Sequence, residues 1–274
     1  MNYFLKIIVP AVSLVFSLNC SLSYAENSEA IAKKLVNPLA DMISVPFEYN
    51  YDHELGSEDN GISQYVKIQP VLPLHLSKSW DLISRPILPV LWDRNVVPQE
   101  SFHGVGDLEI EEFFSPLAPN ALDIRWGIGP YLSFPTATND KLGSQQYLGG
   151  VVGVVLRQKD HWTVGLLTYQ AWSYAKDNGG GNELYTDELY LEPFIDYVTT
   201  NAWTFSVNSE SYLYWDAQPG SEWSVPINAD ISKLLNFGKL ALSLKGGIRY
   251  WVANPPGQAQ NFGARATITF VLPE

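Results

Sequence analysis

From Ile43 onward, apolar and polar residues alternate along the chain with a period of two. In residues 43–52, apolar and aromatic side chains fall on one face of the predicted strand, and mostly polar side chains fall on the other. A strand between lipid and a wet interior has this pattern. Similar segments recur near 66–75, 82–90, 124–134, 203–210, 223–231, 240–249 and 262–270, and weaker ones near 107–115, 147–158, 162–174 and 187–198. The pattern therefore predicts about twelve strands, each long enough to span a bilayer when tilted.

The predicted connections alternate between short and long. Tight links lie near 77–79, 116–120, 159–161, 199–202 and 233–239, and long polar links lie near 54–61, 93–106, 135–146, 175–186, 216–222 and 253–260. Bacterial outer-membrane barrels have short periplasmic turns and longer external loops, whereas a soluble sandwich has no reason to keep this order. The sequence predicts an all-β fold, a transmembrane antiparallel β-barrel over residues 43–274, with both termini in the periplasm because the strand count is even.

Tryptophans cluster at the predicted strand ends. Interfacial girdles of membrane barrels use this residue because its ring is part apolar and part polar. The alternative is an ordinary aromatic core between two sheets, but the neighbouring strand positions are apolar as well, which favours the girdle. The tryptophans concerned are Trp80, Trp92, Trp162, Trp172, Trp203, Trp215, Trp223 and Trp251.

The first 25 residues have the features of a secretory signal peptide. Lys6 precedes a mostly apolar stretch at 7–18, and Ser23 and Ala25 place small residues before a predicted cleavage site. The apolar stretch is shorter than the ~20 residues of a membrane-spanning helix. A lipoprotein anchored through Cys20 is the other alternative, although Asn19 is a bulky residue for that cleavage position. Cleavage after Ala25 leaves no cysteine, and therefore neither a disulfide nor a cysteine-ligated metal.

Residues 26–42 form a predicted N-terminal helical segment. Glu29–Met42 has apolar residues near helical spacing, Ser28 is placed to cap the start, and Pro38 interrupts the pattern. We expect this segment to lie either in the periplasm or inside the barrel.

Charge narrows the range of partners. Lys6 is the only charged residue in the predicted signal, so its removal changes the formal net charge from −12 to −13. A chain this acidic is a poor ligand for nucleic acid, which needs a basic face. Acidic stretches near 52–59, 100–112 and 177–192 would repel anions at the mouth at low salt. They could equally bind divalent ions that bridge lipopolysaccharide, so outer-membrane lipid and lipopolysaccharide are the expected surroundings.

Catalytic and cofactor motifs are absent from the sequence. None of His53, His75, His103 and His161 has a second histidine or a cysteine at metal-ligand spacing. There is no GxSxG motif, and the glycine-rich stretch at 149–153 is not followed by a phosphate-binding GxxxxGK. We therefore predict no enzyme, no metal and no cofactor.

The inward face of the strands supplies the candidate functional residues. Charged side chains on opposed walls would form a selective channel lining. The same side chains could instead form a salt-bridged plug that fills a narrow barrel, and both interpretations remain open. A single bulge would reverse the facing of later residues. The predicted lumen-lining residues are Glu48, Gln69, Arg85, Arg125, Tyr131, Glu192, Asp196, Asn208, Glu210, Lys245, Arg249 and Arg265.

Several short motifs resemble a family of outer-membrane transporters associated by name with the meta-pathway of phenol degradation, whose members are often mislabelled neuromedin-U-like. The matching pieces are Asn37–Phe47 (NPLADMISVPF), Gln69–Pro73 (QPVLP), Trp80–Val90 (WDLISRPILPV), Phe113–Pro116 (FFSP), Gly127–Pro130 (GIGP), Phe134–Thr138 (FPTAT), Leu191–Phe194 (LEPF) and Trp223–Pro226 (WSVP). They follow one another in order over nearly the whole mature chain. One departure from many outer-membrane barrels is that Phe270 is not the last residue, since Val271–Glu274 follow it.

The resemblance implies a barrel and a transport role for an aromatic or hydrophobic compound, and it brings no established site residues. Together with the strand pattern, it predicts a passive, porin-like channel for a small solute in the outer membrane of a Gram-negative cell. A closed structural or binding barrel and a lipid-acting barrel enzyme are the alternatives.

Overall fold

The computed structural model describes residues 28–176, 186–237 and 240–272. The signal peptide predicted for residues 1–25 lies outside these ranges. The described chain contains one helix, α1 (Ser28–Leu35), and fifteen strands in a single sheet. The strands are β1 (Ser44–Leu55), β2 (Gly61–Ile68), β3 (Leu72–His75), β4 (Trp80–Arg94), β5 (Ser101–Val105), β6 (Leu108–Pro116), β7 (Ile124–Phe134), β8 (Gln146–Lys159), β9 (Trp162–Lys176), β10 (Asp187–Val198), β11 (Trp203–Asn208), β12 (Ser211–Tyr214), β13 (Trp223–Phe237), β14 (Leu240–Ala253) and β15 (Asn261–Val271).

The sheet closes on itself as a barrel of 12 antiparallel strands. The last strand, β15, pairs with the first, β1, in a register that sets Ser44 opposite Val271. Three of the 12 barrel strands are each made of two segments: β2 with β3, β5 with β6, and β11 with β12. Closure satisfies the backbone groups that an open sheet edge would expose to lipid. The predicted fold is confirmed.

The two ends of the barrel differ in the length of their connections. We call the end that carries Ser44 and Val271 the turn end, and the opposite end the loop end. The link predicted at 233–239 is wrong, because β13 continues to Phe237 and pairs with β14 throughout. Two adjacent leucines, Leu234 and Leu235, hide the alternation there. The link predicted at 93–106 is shorter than expected, because β5 begins within it.

The outer wall of the barrel is apolar. Large hydrophobic side chains on many strands are exposed, among them Phe47, Ile128, Val155, Ile248 and Ile268. A continuous exposed apolar surface of this kind indicates contact with lipid. Seven of the eight tryptophans assigned to the girdle are exposed: Trp80, Trp92, Trp162, Trp172, Trp203, Trp215 and Trp223.

Trp251 is a correction to the predicted girdle. Its indole Nε1 donates a hydrogen bond of 3.2 Å to Asp52, and the guanidinium of Arg249 lies 5.3 Å from its ring. Residues two apart on a strand face the same way. Trp251 therefore shares the inward face of Arg249.

Helix α1 is shorter than the predicted helix over Glu29–Met42, because it ends at Leu35. Pro38 has no N–H to donate and disfavours helical backbone at Asn37. The Asn37 side chain instead accepts a hydrogen bond of 2.9 Å from the backbone N–H of Leu39. Among the described residues, no helix is long and apolar enough to cross a membrane.

Residues 28–42, which we call the N-terminal plug, enter the turn end of the barrel. Ala32, Ala40 and Met42 are buried in one apolar cluster with wall residues that include Val198 and Leu234. Two polar contacts fix the helix: Asn236 Nδ2 to Ser28 Oγ at 2.6 Å, and Gln158 Nε2 to the Lys33 carbonyl at 2.9 Å. Of the two predicted locations, the structure shows the plug inside the barrel mouth.

Candidate functional site in the barrel lumen

Two arginines and three carboxylates meet at mid-height in the lumen. Arg249 lies 3.1 Å from Asp52 and 3.2 Å from Glu210, and Arg265 lies 2.6 Å from Glu48 and 3.0 Å from Glu210. We call these five residues the central ion-pair layer. The Arg249 and Arg265 side chains are only 2% and 3% exposed. Charges buried to this extent require opposite charges and hydrogen bonds to offset their desolvation.

Arg249 has a partner for each of its donors. A guanidinium carries five N–H groups. Besides the two carboxylates, Arg249 donates to the side-chain oxygens of Asn228, Asn50 and Tyr65 at 2.9–3.1 Å. This arrangement fixes the arginine in one geometry and makes the layer rigid.

Two glycines allow ion pairs to form across an intervening strand. Gly263 on β15 is in register with Arg249 on β14, and a Cβ atom there would lie 2.5 Å from the Asp52 carboxylate. Gly247 on β14 is in register with both Asp230 and Arg265, whose side chains are 3.9 Å apart. A Cβ on Gly247 would lie 1.8 Å from Asp230 Oδ1. The missing side chains therefore leave the space in which the charged groups approach one another.

Glu210 reaches both arginines because the strand that carries it is interrupted. Residues 209–210 separate β11 from β12. At this height Pro193 of β10 and Pro226 of β13 flank the break, and neither can donate to a backbone ladder. The backbone N–H of Ser209 donates to the Pro193 carbonyl, and its hydroxyl donates to the Pro226 carbonyl at 2.6 Å. Such a local irregularity redirects a side chain, here the carboxylate of Glu210.

On another part of the wall, five tyrosines from β7, β9, β10 and β12 stack in a row. Ring centroids are 4.0 Å apart for Tyr131 and Tyr169, 5.0 Å for Tyr169 and Tyr190, and 5.0 Å for Tyr190 and Tyr212. Tyr214 follows at 5.9 Å from Tyr212 with its ring nearly parallel. We call these five residues the tyrosine ladder. Tyr169, Tyr190 and Tyr212 are direct cross-strand partners, which sets the spacing.

Part of the inner wall below the ladder is apolar. Ile83, Phe113, Leu156 and Leu167 are at most 2% exposed, and they belong to one buried cluster with Leu39 of the N-terminal plug. Ile83 and Phe113 are cross-strand partners on β4 and β6. Side chains therefore fill this side of the barrel, and the plug is held by apolar packing as well as by hydrogen bonds.

Two cavities lie in the described barrel, one toward each end. The turn-end cavity, of about 230 Å³, lies between the N-terminal plug and the layer and is lined by residues of both. The loop-end cavity, of about 470 Å³, is lined by tyrosines, carboxylates and small side chains. Its lining residues are Asp107, Glu109, Tyr131, Ser133, Ser144, Leu148, Tyr169, Thr186, Asp187, Glu188, Tyr212, Tyr214, Asp216 and Ala217.

The predicted lumen-lining residues divide into four groups. Glu48, Glu210, Arg249 and Arg265 are brought together in the central ion-pair layer, and Tyr131 lines the loop-end cavity. Arg125 lies near the turn end, where its guanidinium donates to the Leu117 carbonyl at 3.2 Å, and it lines neither cavity. The turn-end cavity is lined by Gln69, Arg85, Glu192, Asp196, Asn208 and Lys245, and also by Glu48.

Several inward residues escaped the sequence analysis. Asn50 and Asp52 follow Glu48 at steps of two on β1, and the same rule extends from Gln69 to Lys67 and from Glu192 to Tyr190. Strict alternation would therefore have found them. Glu111, which pairs with Arg85 at 3.0 Å, lies in one of the weaker strand segments, where the pattern gives little signal. The others missed are Tyr65, Glu109, Tyr169, Glu188, Tyr212, Tyr214, Asn228 and Asp230.

At the turn-end rim, His75 lies between two carboxylates. Its Nδ1 is 2.7 Å from Asp81, and its Nε2 is 3.7 Å from Asp41 of the N-terminal plug. One ligand atom from each of the three residues lies within 4.8 Å of the others. Sequence spacing could not show this group, because Asp41 arrives from a distant part of the chain. The contact links the plug to the wall at an exposed site.

Comparisons with known proteins are informative about the fold. No family model matches the chain, and no curated protein matches it. An outer-membrane channel from Pseudomonas putida F1 superimposes with a TM-score of 0.66 at 14% identity, over 85% of this chain and 97% of that chain. LpxR from Salmonella typhimurium gives a TM-score of 0.42 at 10% identity, over 83% of this chain and 99% of that one. OprD from Pseudomonas aeruginosa gives 0.36 at 9% identity, over 84% and 94%.

The similarity to the Pseudomonas putida channel concerns the whole barrel rather than one motif, and its identity of 14% limits the conclusion to architecture. Closure of the sheet, the exposed apolar wall and the polar lumen agree with it. The chain therefore has the fold of an outer-membrane β-barrel.

Proposed function

We propose that this chain is a passive channel of the outer membrane for a small solute. The observation that carries the proposal is the pair of cavities in the lumen, one toward each end of the barrel. A barrel that served only as a membrane anchor would have no need for open space with polar walls. No nucleotide-binding motif is present in the sequence, so a concentration gradient would drive the solute.

The proposed orientation places the turn end in the periplasm and the loop end outside the cell. Bacterial barrels keep short connections on the periplasmic side and long ones outside. Export through the predicted signal peptide would deliver the chain to that compartment. The solute would then meet the loop-end cavity first and the N-terminal plug last.

The proposed solute is small and carries an aromatic or hydrophobic group. The tyrosine ladder supports this choice, because its end members Tyr212 and Tyr214 remain partly exposed in the loop-end cavity and can contact another ring. The apolar wall at Phe113 and Leu156 would extend that surface toward the turn end once Leu39 of the N-terminal plug is withdrawn from it.

Passage requires movement at two levels. The arginines of the central ion-pair layer are almost fully buried, which supports the interpretation of the described structure as a closed state. The N-terminal plug fills the turn-end mouth through Ala40 and Met42. We propose that release of the plug opens the mouth and that rearrangement of the layer opens the constriction.

Conductance measurements test the channel. Two chains, one starting at residue 28 and one starting at residue 43, are refolded into liposomes and planar bilayers, and folding is checked by heat-modifiable gel migration. We expect discrete conductance steps for both, with larger or longer openings for the chain without the plug. If both fold correctly and stay electrically silent, and liposomes that contain them do not swell in small aromatic solutes, the closed structural barrel is the better account.

A further inference from the structure

The loop-end cavity has an unusual charge balance. Five carboxylate residues line it, and none of its described lining residues is lysine, arginine or histidine. The turn-end cavity differs, because Lys34, Arg85 and Lys245 line it together with acids. A concave site with one sign of charge and low-dielectric walls concentrates ions of the opposite sign. Of the two cavities, only the loop-end cavity has described charged lining residues that are all acidic.

The carboxylates divide according to the contacts that they already make. Asp107 accepts hydrogen bonds from the backbone N–H groups of Ala137 and Ser144 and from the Ser144 hydroxyl, so it holds the loop after β7. Glu188 accepts one hydrogen bond of 3.1 Å, from the Tyr169 hydroxyl. Glu109 lines the same cavity from β6. Asp187 accepts a hydrogen bond from the Gln170 side chain, and Asp216 lies in the connection after β12. Glu109 and Glu188 are therefore the lining carboxylates that stand on barrel strands beside the tyrosine ladder and keep acceptor capacity for a ligand.

The tyrosine ladder supplies the second component. Tyr131 and Tyr169 are 1% and 3% exposed, since their faces cover one another. Tyr212 and Tyr214, at the other end of the ladder, remain partly exposed in the cavity. The face of a tyrosine ring attracts a cation, and the attraction is strongest where water is excluded. Rings beside carboxylates are the arrangement that recognises alkylated ammonium groups.

From this juxtaposition we infer that the loop-end cavity binds an organic cation, an ammonium group carrying an aromatic or alkyl substituent. Glu109 and Glu188 would balance the charge, and Tyr212 and Tyr214 would contact the ammonium methyl groups or the ring. The inference deepens the proposed function, because it names the class of solute, and it rests on that function only in treating the cavity as the entrance.

Binding is measured by titration calorimetry on the full folded barrel in a non-ionic detergent, so no conductance is needed. The probes are benzyltrimethylammonium, benzyl alcohol and benzenesulfonate, which share a ring and differ in charge, together with calcium chloride. We expect benzyltrimethylammonium to bind more tightly than the neutral and anionic probes. The double variant Glu109→Gln/Glu188→Gln should weaken its binding by at least about tenfold, equivalent to the loss of one favourable charge interaction.

The matched control is Glu58→Gln/Glu100→Gln, which removes the same charge from exposed loop-end positions outside the cavity and should leave binding unchanged. Tyr214→Leu keeps every charge and should still weaken binding, which covers the case in which the double glutamate variant does not fold. Equal affinity for benzyl alcohol and benzyltrimethylammonium would overturn the inference. The inference would also be overturned if calcium displaced the organic cation and bound the Tyr214→Leu variant as tightly as the unchanged protein. A silent channel that binds the cation would refute only the proposed function, and a conducting channel without this preference would refute only the inference.

Discussion

The guanidinium of Arg249 lies 3.2 Å from the carboxylate of Glu210, although 39 residues separate them in the chain. Glu210 also holds Arg265, so Glu210→Gln removes a charge that two buried arginines share. We expect this change to lower the free energy of unfolding by about 1–3 kcal/mol, the usual cost of weakening a buried hydrogen-bonded charge. Urea titration of the barrel in lipid vesicles measures it. An unchanged midpoint, equal to that of the exposed control Glu100→Gln, would show that the pair contributes little.

Gly247, which separates Asp230 from Arg265, gives a second prediction, and its neighbour Gly246 provides a close control. Gly247→Ala places a methyl group against Asp230 in the lumen, where there is no space for it. Overpacking of this kind costs about 1–3 kcal/mol. The neighbouring Gly246→Ala adds the same atoms where nothing lies within 4 Å. We expect the urea midpoint to fall for Gly247→Ala and not for Gly246→Ala. Equal midpoints would contradict the idea that Gly247 leaves the space needed for the Asp230–Arg265 ion pair.

Leu39 tests the attachment of the N-terminal plug. The side chain is 4% exposed and packs in the buried cluster with Phe113 and Leu156. Leu39→Ala should cost about 2–5 kcal/mol of packing. If the plug leaves while the barrel stays folded, as we propose, the loss should appear as faster trypsin cleavage after Lys33 and Lys34, with more frequent channel opening. Leu122→Ala, at a position 66% exposed, is the control that should alter neither.

The lipid-facing wall gives a prediction that does not depend on transport. Ile248 is 57% exposed near the middle of β14, on the face opposite Arg249. An arginine at the bilayer midplane costs about 2–4 kcal/mol. Ile248→Arg should therefore reduce folding into vesicles, measured by heat-modifiable migration, whereas Gln218→Arg in the loop-end connection between β12 and β13 should not. Equal folding yields would argue that this face does not contact lipid.

The barrel could be predicted from the sequence because apolar and polar residues alternate along most of its strands. The same alternation predicts that Glu48, Arg249 and Arg265 face inward. Their partners could not be predicted. Arg265 meets Glu48 only because closure brings β15 beside β1, and Glu210 turns inward at a break set by prolines on two neighbouring strands. Composition at a strand end assigns Trp251 to the girdle, whereas its separation of two residues from Arg249 places it on the inward face. Apolar spacing alone extends the helix to Met42, whereas Pro38 disfavours helical backbone at Asn37 and the helix ends at Leu35.

The pairing of the first and last strands has a consequence for folding. Asp52 pairs with Arg249, which lies 197 residues later in the chain, and Glu48 pairs with Arg265, which lies 217 residues later. Until β14 and β15 join the sheet, a partly formed barrel would hold these carboxylates without the arginines that pair with them. Closure of the barrel and neutralisation of these buried carboxylates are therefore one event, so a chain truncated before β14 would leave Asp52 and Glu48 without the arginines that pair with them.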